Sequence, residues 1–257
     1  MTPNGRLVAL GASNLTRGLR VVAHLSRQLW GDPVEIVAAL GHGRSYGMES
    51  AFLFRSLPGI LQSGLWRHLE TAEKAPTRAL VTDVGNDILY GVPVERILDW
   101  VEECVTRLRA QGAEVVMTDL PLDSIDRLSR ARFLLFRSVL VPSCRLSLAQ
   151  VVDRGLAVEW GLRRLAERTR ATMVSLRPEW YGFDPIHIRP RLWAVAWREI
   201  FAGGREQAGR ASLPSSHPLE WLRYYGAKPE RRRLLGVARR RSQPALALPG
   251  GTAMYLY

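Results

Sequence analysis

The chain has 257 residues, 47% of them hydrophobic and 23% charged, and 36 Lys+Arg against 24 Asp+Glu give a formal net charge of +12. That hydrophobic share excludes a disordered chain. The length suits one large α/β domain, alone or with an appendage. No run of about 18 apolar residues occurs, so no membrane-spanning helix is expected. Residues 1–6 are polar and only four apolar residues follow, which does not read as a secretory leader. Cys104 and Cys144 make neither a disulfide framework nor a zinc spacing. A reduced, cytoplasmic protein is the expectation, or one whose leader lies outside this chain.

Five short apolar runs, at 6–10, 34–40, 78–82, 114–119 and 172–176, read as buried strands of a parallel sheet. Helical periodicity separates them. Leu15, Leu19, Val22, Leu25 and Leu29 share one face of a helix over 15–30. Ile97, Leu98, Val101, Val105 and Leu108 do the same over 94–110, where Gly112 supplies a stop. A longer helical region over 146–170 carries Gly155 and Gly161 as candidate breaks, and a last helix covers 191–201. Strand alternating with helix predicts an open α/β sheet with helices on both faces. Ligands of such sheets bind at the carboxyl ends of the strands.

Chemistry-bearing residues stand at four of those ends. The first strand runs into Gly11-Ala12-Ser13-Asn14, where a serine in a tight strand-to-helix turn suits a nucleophile; an ordinary helix N-cap is the alternative. The second ends in Gly41-His42-Gly43-Arg44-Ser45-Tyr46-Gly47, a loop able to present backbone N–H groups. The third ends in Asp83-Val84-Gly85-Asn86-Asp87, which offers a side-chain amide or a plain Asx turn. After the fifth comes Asp184-Pro185-Ile186-His187, with a carboxylate three residues before an imidazole. That spacing lets the carboxylate hold Nδ1 and leaves Nε2 for a nucleophile. His42 is assigned no base role.

Together these segments resemble the SGNH (GDSL-like) hydrolases over about residues 6–202. Ser13 is similar to the family's first-block serine, Gly43 to its glycine and Asn86 to its asparagine. Asp184 and His187 match its Asp-x-x-His. The resemblance implies a three-layer, flavodoxin-like α/β/α fold with a five-stranded parallel sheet. It also implies cleavage of an acyl or acetyl ester through an acyl-serine, without cofactor or metal. Ser13, Asp184 and His187 would be catalytic, and the Ser13 N–H, Gly43 N–H and Asn86 amide would hold the oxyanion. The substrate would be a small-molecule, glycan or lipid ester. Two positions depart from the pattern: Ala12 replaces the usual aspartate, and Val84 replaces a glycine. Loss of that aspartate predicts a weaker or altered organisation around Ser13.

Two other readings stand beside this one. Asp83, Asp87, Asp119 and Asp123 lie near strand ends and suit a metal-dependent phosphoesterase. Residues 203–257 carry a net charge of +7 and read as a basic Arg-rich extension behind a glycine-rich linker, with the domain ending at 202. The runs Arg231-Arg232-Arg233 and Arg239-Arg240-Arg241 suit an anionic partner, the reading for a decayed hydrolase turned binding protein.

Overall fold

The computed structural model describes residues 2–142, 144–204, 223–224 and 226–257. In chain order these form β1 (Gly5–Leu10), α1 (Ser13–Trp30), β2 (Val34–Ala39), β3 (Ser50–Phe52), β4 (Arg55–Leu57) and α2 (Leu65–Thr71). Next come β5 (Thr77–Val81), α3 (Asn86–Leu89), α4 (Val94–Ala110), β6 (Glu114–Thr118), α5 (Leu122–Asp126), α6 (Arg130–Leu140) and α7 (Leu148–Thr169). The series ends with β7 (Thr172–Val174), α8 (Trp193–Phe201), β8 (Arg231–Leu234), β9 (Val237–Arg240), β10 (Leu246–Ala247) and β11 (Ala253–Leu256).

The central sheet has the order β10-β11-β2-β1-β5-β6-β7 and is parallel except for β10. Its strands alternate between two cores, as a period of two requires. Val8 and Leu10 of β1 face a core built with α2, α4 and α7, whereas Leu7 and Ala9 face α1 and α8. All four are fully buried, which is why this run is apolar without interruption. Helices thus cover both faces of the sheet, as the alternation of elements predicts.

The sheet has seven strands, not the five expected. The two additional ones, β10 and β11, lie in the segment read from sequence as an extension. β11 pairs in parallel with β2 from Ala253↔Glu35 to Leu256↔Ala38, and Met254 is fully buried in the α1 and α8 core. The boundary expected at 202/203 therefore precedes two strands of the central sheet. Most of the expected glycine-rich linker lies outside the described residues. A second sheet, β3-β4-β8-β9, brings the 231–240 arginine runs onto a hairpin paired with β4.

Helix α7 runs unbroken through Gly155 and Gly161, contrary to the expected interruption. A capping box of Ser147 and Gln150 starts it. Gly155 is tolerated because it is a contact point: a Cβ there would come within 2.5 Å of Leu122 Cδ2. Cys104 is buried in the core, as its position on the apolar face of α4 predicts.

The loop after β2 is tied to the far end of the chain. Arg44, with no exposed surface, donates from Nη1 to the carbonyls of Leu40 (3.1 Å) and Tyr257 and from Nε to that of Pro58 (3.2 Å). Tyr257 N–H in turn donates to Ala38 C=O at 2.8 Å. Ending the chain at Gly204 removes the two bonds to Tyr257 and bares the β2 edge. The shortened chain should lose cooperative thermal unfolding or melt well below the full chain in calorimetry. Equal melting of the two would make 1–202 an autonomous unit.

Candidate active site

Because the strands are parallel, the carboxyl ends of β1, β2, β5, β6 and β7 share one edge of the sheet. Ser13 is the first residue of α1, directly after the β1 turn, and is nearly buried at 9% exposure. Its Oγ lies 2.9 Å from His187 Nε2. His187 Nδ1 lies 2.5 Å from Asp184 Oδ2. The other carboxylate oxygen, Oδ1, accepts the N–H groups of Ile186 (3.1 Å) and His187 (3.2 Å). Burial opposes ionisation of Asp184, but the His187 imidazole and these two N–H groups outweigh it and hold the carboxyl below its ordinary range.

What fixes the turn is a second network, which sequence reasoning missed. Asp83, at the end of β5, accepts the backbone N–H of Ala12 (2.8 Å) and Leu15 (3.1 Å) on one oxygen and Asn14 Nδ2 (2.9 Å) on the other. It adopts a left-handed φ of 59°, a conformation aspartate tolerates. Asn14 also donates to Ile186 C=O (2.8 Å) and accepts from Ile188 N–H (2.9 Å). Both backbone neighbours of His187 are thereby clamped to the residue after Ser13. Of the weaker or altered organisation expected without a carboxylate at position 12, the structure has the altered one. The N-terminus of α1 receives its carboxylate from Asp83, some seventy residues away in the chain.

Gly43 and Asn86 reach the same place. Gly43 has φ 66°, and its carbonyl accepts from Tyr90 Oη; a Cβ at this position would sit 2.8 Å from that oxygen. Asn86 opens α3, with Nδ2 3.4 Å from Arg44 C=O. With Ser13, Arg17, His42 and Phe52 they line a shallow pocket over His187. Burial, then the nearby Arg17 and Arg55 charges, push His42 down to about 4, so it is a neutral wall at neutral pH. Neither Arg17 nor Tyr90 carries a local sequence signal of this placement.

A larger cavity opens on the other side of Ser13, enclosing about 980 Å³ with part of it open to solvent. Ile88, Leu120, Leu122, Leu128, Phe133 and Val151 give it an apolar wall. Helices α5 and α6 supply part of that wall, and neither was expected from the sequence.

Three of the four aspartates considered as metal ligands, Asp83, Asp87 and Asp119, are engaged in hydrogen bonds within the fold. Asp87 accepts Tyr46 N–H at 2.9 Å, and Asp119 accepts from Arg163 and Leu176 N–H. Among the described residues, no group of three His, Cys, Asp or Glu side chains is placed to hold a metal ion.

Neither protein-family models nor curated proteins gave a match to this chain. Solved structures similar to it, at low identity, include esterases and members of the SGNH-hydrolase and G-D-S-L families. The psychrotrophic esterase EstA from Pseudoalteromonas sp. aligns at 14% identity and TM-score 0.48, over 77% of this chain and 95% of its own. The acetyl xylan esterase AlAXEase aligns at 11% identity and TM-score 0.47, over 76% and 98%. AlinE4, an SGNH-hydrolase family esterase, aligns at 13% identity and TM-score 0.41, over 86% and 93%.

Asp87, fully buried beside Asn86, yields a pH test. Burial pushes its carboxyl from 3.8 up to about 6. Between about pH 4 and 6 the folded chain holds a proton that the unfolded chain has released. Stability therefore falls as pH rises through that window, by about 3 kcal/mol in all, and levels off above it. Thermal melts should show Asp87→Asn gaining on the wild type from pH 4 to 6 and keeping the gap at pH 8. A gap independent of pH would overturn this account of Asp87.

Proposed function

We propose that the chain is an SGNH-type ester hydrolase working through an acyl-serine. The observation that carries this reading is the unbroken line Ser13 Oγ, His187 Nε2, His187 Nδ1, Asp184 Oδ2 at 2.9 and 2.5 Å. Ser13 Oγ attacks the ester carbonyl as its proton passes to His187 Nε2. Asp184 keeps the imidazole in the required tautomer and stabilises the imidazolium. The carbonyl oxygen takes up negative charge facing three donors. These are the Ser13 N–H, which has no helical partner in the first turn of α1, the Gly43 N–H and the Asn86 side-chain amide. One such donor is typically worth roughly 3–4 kcal/mol in the transition state. Collapse expels the alcohol, which takes the proton back from His187. Water, deprotonated by His187, then releases the acid and restores Ser13.

The two pockets divide the ester between them. The apolar cavity suits the acyl chain, since burying each CH₂ gains about 0.8 kcal/mol. The shallow pocket with Arg17 and His42 suits the alcohol side. This favours a lipid or other acyl ester over a bare acetyl ester. The metal-dependent phosphoesterase reading has less support, because Asp83, Asp87 and Asp119 each hold a structural hydrogen bond.

A fluorophosphonate probe should label the wild type and not Ser13→Ala, read by intact-mass spectrometry. Labelling that persists in the alanine variant moves the nucleophile elsewhere, and an unlabelled wild type leaves the decayed, binding-only reading. On a series of p-nitrophenyl esters, kcat/KM should rise from acetyl to medium-length acyl groups. A maximum at acetyl would separate the cavity from the acyl group.

A further inference from the structure

The second sheet ends in two turns that lie side by side. Residues 53–54 join β3 to β4 and residues 235–236 join β8 to β9, and Leu235 N–H donates to Phe54 C=O at 2.8 Å. Their apolar side chains stand in solvent: Leu53 is 79% exposed, Phe54 72%, Leu235 72% and Val237 52%. One exposed leucine is ordinary, but a cluster on adjoining turns is a patch. Leu53 and Leu235 also occupy left-handed backbone, with φ of 55° and 51°. Two-residue hairpin turns favour Asn, Asp or Gly at such positions. Solvation and backbone preference both disfavour leucine here, twice over, in neighbouring turns.

Behind the tips the strands are basic. Arg55, Arg232, Arg233, Arg239 and Arg240 follow within a few residues, and at about 3.3 Å per residue they stand roughly 3–13 Å from the apolar end. From 228 to 257 the chain has seven basic residues and one acidic. Every residue of β9 is exposed, so this strand projects from the body.

We propose that this double hairpin docks on an anionic lipid bilayer. Leu53, Phe54, Leu235 and Val237 enter the boundary of the acyl region, and the arginines meet lipid phosphates at headgroup depth. A nucleic acid would engage the arginines and leave the apolar tips in water, which is why the bilayer is favoured. Phe52, next to Leu53, lines the shallow pocket beside Ser13. Docking therefore sets the mouth of that pocket against the lipid surface. The inference goes beyond the ester-hydrolase reading and does not require Ser13 to react.

Flotation of the full chain with phosphatidylcholine vesicles, with and without phosphatidylglycerol, tests it. The chain should float with the anionic vesicles, less so at high salt, and hardly with the neutral ones. Leu53→Asn with Leu235→Asn suits both turns, so Tm should hold or rise while partition falls about tenfold or more. Arg232→Gln, Arg239→Gln and Arg240→Gln together should lower partition on the order of a hundredfold at low salt. Should the asparagine pair fold poorly, the arginine set decides. Absence of flotation, partition unaffected by either set, or tighter retention on duplex DNA than on anionic vesicles overturns the proposal. Ser13→Ala should float like the wild type, so failure of docking and failure of the hydrolase reading are separate results.

Discussion

One carboxylate holds the candidate site together. Asp83 takes two backbone N–H groups from the β1–α1 turn and the Asn14 amide, and Asn14 then grips the backbone on both sides of His187. Three segments far apart in the chain are thereby fixed to one another at the edge of the sheet. Hydrogen bonds to a charged group contribute about 1.5–3 kcal/mol each, and losing the acceptor would leave several donors unsatisfied. The Ser13–His187 distance is a consequence of this frame, since neither side chain chooses its own position. A helix N-terminus also favours a negative neighbour. The carboxylate thus stabilises the same turn from which a nucleophile would act.

The two sides of Ser13 differ in kind. The wall formed with α5, α6 and α7 is aliphatic and aromatic, whereas the pocket at the glycine loop sets Arg17, His42 and Asn86 among Phe52, Leu89 and Val141. On the proposed ester-hydrolase reading, an ester placed between them would meet apolar burial on one side and the donors near Ser13 on the other. On that reading, an acyl group in the apolar cavity would be discriminated gradually by size, through packing.

Much of this was legible in the sequence, for local reasons. Strands β1, β2, β5, β6 and β7 announce themselves as buried apolar runs, and α1 and α4 by their period. Ser13, Gly43, Asn86, Asp184 and His187 stood at strand ends, and the structure brings them together. Asp83 was noticed only as a candidate metal ligand, because no local pattern says that a side chain will bond a backbone about seventy residues earlier. β11 was hidden for the same reason. Its Ala253-Met254-Tyr255-Leu256 is short, follows Pro249-Gly250-Gly251 and finds its partner more than two hundred residues away. Gly155 looked like a helix break when read alone; the close approach of Leu122 becomes visible only in three dimensions.

The bond from Arg44 to the Tyr257 carbonyl has a bearing on how the protein is made. Arg44 sits beside Gly43, and its guanidinium is fully enclosed, so burial draws it down to about 9. On a ribosome the β1–α1 turn emerges early, as do the 41–47 loop and the inner strands. The acceptor for Arg44 and the strand that covers β2 emerge some two hundred residues later. Until then a cationic side chain destined for the interior stays in water, and the edge of β2 offers unpaired backbone groups to whatever is near. Contacts this distant form slowly and extend the interval in which a nascent chain is open to mispairing. Completion of the glycine loop is therefore a late event in biogenesis, coupled to the arrival of β11.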